Sequence, residues 1–448
     1  MLEAVEHSWT DRIGSARLCR RVGRLTAIHG LVLEATGLDV QLGELVRILP
    51  ARSQEPVMAE VVGLRNRHAL LMPHASVDGL CLASEVEAFG ASNGIPVGFE
   101  LLGRVIDASG KPLDEGPSLE GLERQHRFRA PINPLHRRPI REKLSTGVRA
   151  VDLFTPLGRG QRIGILAGSG VGKSTLLGMM SRHAEADVAV IALIGERGRE
   201  VGDFIRDSLG AKGMKSSVVV VASAEQPAVM RRQAAYTATG IAEWFRARGK
   251  HVLLIMDSIT RFAFAQREIG LATGEPMGSR GYPPSVFGLL PPLMERAGSL
   301  EGQGSITGVY TVLVEGDDMN EPVADHMRAV LDGHIVLSRD LAARGHYPAI
   351  DIQGSISRLS GALYHTGQRE TADQIRHALA EYRNSEDLIR LGAYEAGSNA
   401  TLDAVIALES DMSALLRQPS GQHAAPETSW SLARDLAGKL KRGSSHVG

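Results

Sequence analysis

The stretch Ile165–Leu177, ILAGSGVGKSTLL, has the residue types and spacing of a loop that binds the phosphates of a nucleotide. It departs by one residue from the pattern G-x-x-x-x-G-K-[ST], because Ala167 stands where the pattern has its first glycine. In such a loop, successive backbone N–H groups and the positive start of the following helix bind the phosphates. A strand-like run precedes the stretch and a helical run follows it. This context favours a nucleotide site over a glycine-rich turn without a ligand.

Each position of this loop has an expected task. Glycines allow tight curvature, a lysine reaches the β- and γ-phosphates, and the next hydroxyl binds Mg²⁺. Lys173 and Ser174 occupy those last two positions, and Ala167 ends the preceding strand, where a methyl group is tolerable. The other nucleotide contacts expected from the loop are Gly168, Ser169, Gly170, Val171, Gly172 and Thr175.

Two carboxylates follow apolar runs further along the chain. Asp257 ends HVLLIMD, and an aspartate at the end of a core strand is the usual protein partner of a nucleotide-bound Mg²⁺. Glu196 follows VIALIG, where strand ends deliver catalytic groups, and we expect it to activate the attacking water. The alternative is that Glu196, Arg197, Arg199 and Glu200 form only a solvated charged turn.

The elements that must position these residues alternate between strands and helices from Ala150 to about Ser360. Such alternation predicts a parallel sheet covered by helices. The longest helical pattern runs from Pro227 to Arg248. The predicted strands are Ile163–Leu166, Val188–Ile194, Ser217–Val221, Val252–Met256 and Gly308–Val314.

The flanking regions divide the chain into further segments. Short runs broken by turns predict a small all-β barrel over 25–98. The core, 99–360, begins with a hairpin that turns at Ser109–Gly110 and a linker rich in proline and arginine up to residue 149. Helical patterns predict a third, smaller domain over 361–418. The polar tail, 419–448, is expected to be mobile, with one short possible helix at Ser429–Lys441.

The first 24 residues carry a helical stripe and become basic towards Arg24. The pattern is typical of a segment that docks onto a partner or a membrane surface. A helix packed on its own domain, or a frayed terminus, explains it equally well. The stripe consists of Leu2, Val5, Trp9, Ile13 and Ala16.

Composition excludes several classes of function. Fifty basic and 51 acidic residues give a net charge of −1, and aromatic residues make up only 4% of the 448, which argues against nucleic-acid binding. Two cysteines, Cys19 and Cys81, cannot build a disulfide framework. The N-terminus lacks the apolar core of a signal peptide, and no apolar run approaches the ~20 residues of a membrane span. These features predict a cytoplasmic multidomain protein.

Several long motifs closely resemble the flagellar protein-export ATPase family, with its injectisome relatives, which is similar to the catalytic subunit of rotary ATP synthases. They include AGSGVGKSTLLGMM, LIGERGREVGDFI, LLIMDSITRFAFAQREIGLATGEP, EGDDMNEPVADHMRAVLDGHIVLSR and GHYPAIDIQGSISR. The resemblance covers about Gly23 to Leu416. It implies an α/β RecA-like P-loop core, an N-terminal β-barrel, a C-terminal helical domain, and a homo-hexamer with ATP between neighbouring subunits.

The resemblance also implies roles for individual residues. Glu196 is the carboxylate that activates water, and Glu200 lies near the waters of Mg²⁺. Arg261 contacts the γ-phosphate, and Tyr347 stacks on adenine. Arg358 is the arginine finger that enters the next subunit's site. Taken without the resemblance, Arg358 is better explained as a surface salt-bridge residue and Tyr347 as a core residue.

The function implied is an ATP-hydrolysing motor or unfoldase of the flagellar type III protein-export apparatus. The implied partners are a stator-like regulator at the N-terminus, membrane proteins of the export gate, export chaperones and unfolded substrates, with a place at the inner face of the cytoplasmic membrane. An injectisome ATPase, a hexameric nucleic-acid translocase of the Rho type and a rotary ATPase subunit are the alternatives.

Overall fold

The computed structural model describes residues 20–50, 55–88, 94–314, 316 and 318–445. The amphipathic stripe from Leu2 to Ala16, expected to dock a partner, lies outside the described residues. The described chain forms two compact units. One contains residues 20–88 together with 268–276, and the other contains the rest.

The first unit is built around a closed six-stranded barrel, which confirms the predicted all-β barrel. Its antiparallel strands run in the order β1-β2-β5-β4-β3-β6, and β6 pairs again with β1. Alternate side chains such as Leu33, Ile48 and Leu71 fill the interior, as a period of two residues requires. The strands are β1 (Arg21–His29), β2 (Val32–Thr36), β3 (Leu45–Leu49), β4 (Val57–Arg65), β5 (His68–Pro73) and β6 (Glu85–Ala88).

The barrel therefore begins and ends earlier than the expected limits of 25 and 98. Residues 21–24, which were assigned to a docking segment, already belong to β1. At the other end, β7 (Gly94–Val97) pairs with β9 (Glu123–His126) in a separate two-stranded sheet. Both differences from the expected limits involve short segments that pair with distant parts of the chain: the start of β1 pairs with β6, and β7 pairs with β9. Local sequence patterns do not reveal such pairings.

The second unit contains the predicted parallel sheet. Its strands run in the order β19-β18-β12-β17-β15-β13-β14-β8, all parallel except β19 at one edge. The inner strands β12, β13, β14 and β15 are almost continuously buried and apolar, as expected where helices cover both faces of a parallel sheet, whereas the edge strands β8 and β19 are only partly buried. The strands of this sheet are β8 (Arg104–Asp107), β12 (Arg162–Ala167), β13 (Val188–Ile194), β14 (Ser217–Ala222), β15 (His251–Asp257), β17 (Ser305–Leu313), β18 (Gly333–Leu337) and β19 (Ile350–Ser357).

The described residues also contain two further short strand pairings, fourteen α-helices, short 3₁₀ helices and one π-helical segment, Phe204–Leu209. The strands β10 (Lys143–Leu144) and β11 (Leu157–Gly158) pair with each other, and β16 (Gly298–Ser299) pairs with β17. The helices are α1 (Arg149–Phe154), α2 (Lys173–His183), α3 (Gly198–Asp203), α4 (Gly210–Met214), α5 (Ala228–Ala247), α6 (Ile259–Ala272), α7 (Pro284–Met294), α8 (Pro322–Val330), α9 (Arg339–Ala343), α10 (Ser360–Leu363), α11 (Gln368–Arg390), α12 (Ala400–Ala407), α13 (Glu409–Leu416) and α14 (Pro426–Ser445). Within the described residues, none of these helices has the length and apolar character needed to cross a membrane.

The hairpin expected at the start of the core has its turn where the sequence placed it. The N–H of Gly110 donates to the carbonyl of Asp107 at 3.0 Å, and Gly110 has a φ of 85°. Its first strand, β8, does more than form a hairpin, because it joins the central sheet parallel to β14. Part of the presumed entry segment is therefore the edge of the core sheet.

The C-terminal tail differs from the expectation of a mobile segment. Residues Pro426–Ser445 form helix α14, seven residues longer than the possible helix at Ser429–Lys441. Trp430 is buried and packs edge-on against the ring of Tyr364, with 5.8 Å between centroids. Trp430, Ala433, Ala437 and Leu440 share one helical face, which the many polar residues between them conceal in the sequence.

Candidate active site

The order of the sheet gathers the ends of four strands at one edge. β12, β17, β15 and β13 are neighbours and parallel, so their carboxyl ends open on the same side. In open α/β sheets, ligands bind in the crevice outside these carboxyl ends. The phosphate loop follows β12, Asp257 ends β15, and Glu196 lies two residues beyond β13. The motifs singled out in the sequence therefore meet at one place.

The phosphate loop connects β12 directly to α2. The strand ends at Ala167, as predicted, and the helix begins at Lys173. Gly170 and Gly172 have φ values of 78° and 91°, in the left-handed region that favours glycine. Val171 is buried and anchors the loop, whereas Ser169, Ser174 and Thr175 are exposed. The open side of the loop thus presents backbone N–H groups and hydroxyls to a ligand.

Lys173 joins the three motifs through its ammonium group. Its Nζ forms an ion pair with Asp257 and lies 3.3 Å from Oε1 of Glu196. The side chains of Lys173, Asp257 and Glu196 are only 12%, 3% and 15% exposed. Charges withdrawn from water in this way are stable only when they are paired. The alternative of a solvated turn does not describe Glu196, although Arg197, Arg199 and Glu200 are exposed.

The same arrangement shifts the pKa values of these groups. Burial raises the pKa of the Glu196 carboxyl to about 7, with Lys173 opposing the shift and the charge of Asp257 adding to it. Burial alone would lower the pKa of Lys173, but the charges of Asp257 and Glu196 outweigh it and raise the pKa. A hydrogen bond shared with Glu196 lowers the pKa of Glu200. Glu196 is therefore poised to exchange a proton near neutral pH.

Thr311 is a further member of the site, and the sequence analysis did not identify it. It lies in β17, between the strands that carry the phosphate loop and Asp257. Its Oγ1 donates a 2.7 Å hydrogen bond to Oδ1 of Asp257. The pairing of β17 with β15 places Tyr310 opposite Met256. Thr311 and Asp257 are the next residues of these two strands, and this pairing is the signal that could have identified Thr311. Strand order of this kind is not encoded in a local motif.

Arg261 lies on α6, four residues after Asp257. A side chain at Gly195 would have its Cβ 2.9 Å from Cβ of Arg261, so the arginine packs directly against the turn that precedes Glu196. The Nε of Arg261 is buried and has no hydrogen-bond partner among the described residues. A buried guanidinium N–H in this position needs an acceptor, and a phosphate oxygen would supply one.

Tyr347 lies beside the phosphate loop. A Cβ at Gly172 would be 3.5 Å from the Tyr347 ring, which is van der Waals distance. Tyr347 is 47% exposed, which excludes the core role considered for it. An exposed aromatic face next to a phosphate loop provides a stacking surface for a nucleotide base.

Arg358 is the one predicted site residue in the described chain that the structure does not bring to this edge. Where β12 pairs with β18, Ala167 lies opposite Leu337. Where β18 pairs with β19, Gly333 lies opposite Ser357. Leu337 and Gly333 are four residues apart on β18. At about 3.3 Å per residue, the two ends of this strand are about 13 Å apart. Arg358 is exposed, and its Nη2 donates to the carbonyl of Arg328 at 2.9 Å. It therefore lies at the edge opposite its own phosphate loop.

The residues present fit a Mg²⁺ ion that arrives with a nucleotide. The described residues contain no group of three or more histidine, cysteine, aspartate or glutamate side chains able to hold a metal alone. Mg²⁺ usually binds through one or two protein ligands together with substrate phosphates and water. The exposed hydroxyl of Ser174 and the carboxylate of Asp257 provide such a partial set.

Comparisons with known proteins agree with this geometry. Residues 147–357 match the model of the ATP synthase alpha/beta family, nucleotide-binding domain, and residues 365–432 match the T3SS EscN ATPase C-terminal domain. The chain is 48% identical to the flagellum-specific ATP synthase of Bacillus subtilis, covering 94% of this chain and 96% of the relative. It is 46% identical to the type 3 secretion system ATPase of Xanthomonas euvesicatoria, covering 92% and 93%.

Solved structures give the same result. The assembled ATPase EscN from the enteropathogenic E. coli type III secretion system superimposes with a TM-score of 0.87 at 40% identity, covering 93% of this chain and 100% of EscN. EscN in complex with its central stalk EscO gives a TM-score of 0.85, with the same identity and coverage. The chain belongs to the type III export ATPase family, which includes flagellum-specific ATP synthases and type 3 secretion system ATPases, and it is an ATP-hydrolysing enzyme.

Proposed function

We propose that this chain is the ATPase of a flagellar protein-export apparatus and that it hydrolyses Mg-ATP at the subunit interfaces of a homo-hexamer. The observation that carries the catalytic part is the cluster of Lys173, Glu196 and Asp257 at the carboxyl edge of the sheet. The flagellar assignment rests on relatives named flagellum-specific ATP synthase, which match nearly the whole chain. An ATPase of an injectisome is the second candidate, because the Xanthomonas relative is almost equally similar.

Nucleotide binding rearranges the ion pairs of the site. The phosphates lie against the backbone N–H groups of the loop, and Lys173 turns from the two carboxylates towards the β- and γ-phosphates. Asp257 and Ser174 would hold Mg²⁺ when it arrives with the nucleotide, and Glu200 would lie near the waters of that ion. Mg²⁺ supplies charge neutralisation at the phosphate oxygens. Tyr347 stacks on the adenine ring beside Gly172.

Glu196 accepts the proton in the hydrolytic step. Its raised pKa makes it a base matched to neutral pH once it is deprotonated. The water oxygen forms a bond to the γ-phosphorus, and the bond from that phosphorus to the bridging oxygen breaks. The electron pair leaves with ADP, and the water proton passes to Glu196. Arg261, with its unsatisfied Nε, stabilises the charge on the transferring phosphoryl group.

Arg358 completes the site of the next subunit in this proposal. The register of the sheet keeps it away from its own phosphate loop, so it can act only on a neighbouring copy. An arginine finger of this kind contributes roughly 10³–10⁵ to the rate. Hydrolysis then depends on assembly, and the assembly that such a head-to-tail interface closes is a ring.

The proposed partners are those of an export ATPase. A stator-like regulator binds the N-terminal segment, and membrane proteins of the export gate hold the ring at the inner face of the cytoplasmic membrane. Chaperones and unfolded substrates are the cargo. A central stalk is a further candidate, because the EscN relative is described in complex with its stalk EscO.

Glu196→Gln at the native locus of the source bacterium tests the proposal. The change removes the proton acceptor and keeps the size of the side chain, so the purified variant should bind ATP and fail to hydrolyse it. Soft-agar swimming and filament formation should then be strongly reduced. Unimpaired swimming with a demonstrably inactive enzyme would contradict the flagellar assignment and direct attention to an injectisome.

A further inference from the structure

We propose that Gln418 is a positioning residue for the nucleotide site. It lies in the loop Arg417–Ala424, between helices α13 and α14, and fixes the backbone of Tyr347. The inference rests on the proposed function, because it takes Tyr347 as the side chain that stacks on the base.

Gln418 contacts Tyr347 through the main chain and the rest of the junction through its side chain. Its backbone N–H donates to the Tyr347 carbonyl at 3.0 Å. Its side chain is buried, with the whole residue 3% exposed. Oε1 accepts from the N–H of Arg149 at 2.8 Å, and Nε2 donates to the carbonyls of Gly147 and Gln422 at 2.8 and 2.7 Å. Both amide protons and the amide oxygen are therefore in use.

One of these bonds, from the Arg149 N–H to Oε1, supplies a cap for helix α1. Arg149 is the first residue of α1, and Val148 before it makes no side-chain capping hydrogen bond among the described residues. The first N–H groups of a helix have no partner within the helix. Gln418 supplies an acceptor from a segment 269 residues further along the chain. The Gln418 side chain thus binds the C-terminal loop to the start of helix α1. The backbone N–H of the same residue holds the Tyr347 carbonyl.

The same loop also contacts the far end of the helix that begins with the phosphate loop. Nη2 of Arg182, near the end of α2, donates to the carbonyl of Ser420 at 2.7 Å. The rings of His183 and His423 lie 5.5 Å apart between centroids. The segment Arg417–Ala424 therefore touches α2 at one end, while Tyr347, which it holds, packs beside Gly172 at the other. One loop between the C-terminal helices therefore contacts both Tyr347 and the far end of α2, while the phosphate loop at the start of α2 keeps its own backbone geometry.

Removing the side-chain amide should separate binding of the base from binding of the phosphates. Gln418→Met keeps a side chain of similar length and removes all three hydrogen bonds. Tyr347 supplies the proposed stacking contact to the base, so loss of most of that contact lowers the affinity for ATP about tenfold. Affinity for inorganic tripolyphosphate, which has no base, should stay within about twofold because the phosphate loop is untouched.

The experiment compares binding of a non-hydrolysable ATP analogue, used as the probe for ATP, with binding of tripolyphosphate to the full chain by titration calorimetry in Mg²⁺ buffer. Tyr347→Ala, Gln418→Met and the double variant form a mutant cycle, and the inference expects the double variant to be no weaker than Tyr347→Ala. Tyr394→Phe is the matched control, because it removes hydrogen bonds to Asn399 and Asp403 at the junction of helices α11 and α12, also in the C-terminal part of the chain. This control should bind both ligands normally.

The possible outcomes distinguish a failure of the role proposed for Gln418 from a failure of the stacking role proposed for Tyr347. Unchanged ATP affinity in Tyr347→Ala would reject the stacking role itself. A weakened Tyr347→Ala beside an unaffected Gln418→Met would reject only the role of Gln418, as would equal losses for ATP and tripolyphosphate. If Gln418→Met does not fold, Gln418→Asn keeps a neutral amide one methylene shorter, and a smaller loss confined to ATP is expected from it.

Discussion

The hydroxyl of Thr311 donates a 2.7 Å hydrogen bond to Oδ1 of Asp257, the same oxygen that pairs with Lys173. Two donors on one oxygen hold the carboxylate in a fixed orientation. When Lys173 turns towards a phosphate, Thr311 remains as the group that keeps Asp257 in place. Thr311 is therefore a positioning residue for the proposed Mg²⁺ ligand.

Thr311→Val keeps the shape of the side chain and removes this hydrogen bond. Hydrogen bonds to charged groups contribute about 1.5–3 kcal/mol, so kcat/KM for ATP should fall at least about tenfold. The Mg²⁺ concentration for half-maximal activity should rise, because Asp257 is the proposed ligand. Both quantities are measured by phosphate release over a Mg²⁺ titration.

Thr307→Val provides the control on the same strand. Thr307 is also buried, and its Oγ1 accepts from the N–H of Gly160, away from the site edge of β17. Its replacement should lower stability without changing the Mg²⁺ requirement. An equal shift of the Mg²⁺ requirement in both variants would show that Thr311 has no specific connection to Asp257.

The raised pKa of Glu196 predicts the pH dependence of hydrolysis. The proton acceptor works only as a carboxylate, so activity should be low below a pH of about 7 and reach a plateau above it. The logarithm of kcat/KM should therefore rise by about one per pH unit between pH 5.5 and about 7, because one group loses one proton. Steady-state kinetics at saturating Mg²⁺ checks the profile. A flat profile across this range would contradict a base with a raised pKa.

The sequence predicted the core of the fold closely because the relevant signals are local. The strand Val188–Ile194 was predicted with its observed limits, and the long helix α5 differs from its predicted limits by one residue at each end. Buried parallel strands read as unbroken apolar runs, and the phosphate loop follows one of them. For the same reason Lys173, Glu196 and Asp257 could be proposed as site residues from the sequence, and the structure brings the three together.

What the sequence did not predict depends on contacts between distant segments. Thr311 and Gln418 resemble ordinary polar residues until strand order and loop packing place them beside Asp257 and Tyr347. Helix α14 was underestimated because its apolar face is narrow and only Trp430 within it is aromatic. Tertiary packing, rather than local propensity, determines these three features.

Trp430→Ala tests whether the last helix is part of the folded unit. Trp430 is 5% exposed and contacts Tyr364, with the Lys143 ammonium 5.1 Å from its ring centroid. Replacement of a buried tryptophan by alanine costs about 3–5 kcal/mol, so the thermal or urea midpoint should fall clearly. Leu432→Ala, two residues away and 43% exposed, should leave the midpoint nearly unchanged. Equal midpoints for the two variants would support a loosely attached tail.

The position of Arg358 predicts complementation between two inactive variants. Arg358 lies at the edge opposite its own phosphate loop, so in the proposed arrangement each complete site combines Glu196 of one subunit with Arg358 of its neighbour. Glu196→Gln and Arg358→Ala should each lose at least about a hundredfold in kcat when assembled alone. Mixed subunits restore complete sites wherever an Arg358→Ala subunit supplies the phosphate loop and a Glu196→Gln subunit supplies the arginine.

Random mixing at equal amounts makes about a quarter of the head-to-tail interfaces complete. ATP hydrolysis by the mixture should therefore exceed the sum of the separate preparations many times over. Mixing wild-type with the double variant Glu196→Gln/Arg358→Ala is the control for subunit exchange, since it lowers activity only if subunits exchange. If exchange is demonstrated and the two single variants still fail to complement, Arg358 does not act on a neighbouring site. Its exposed hydrogen bond to Arg328 would then be its whole role.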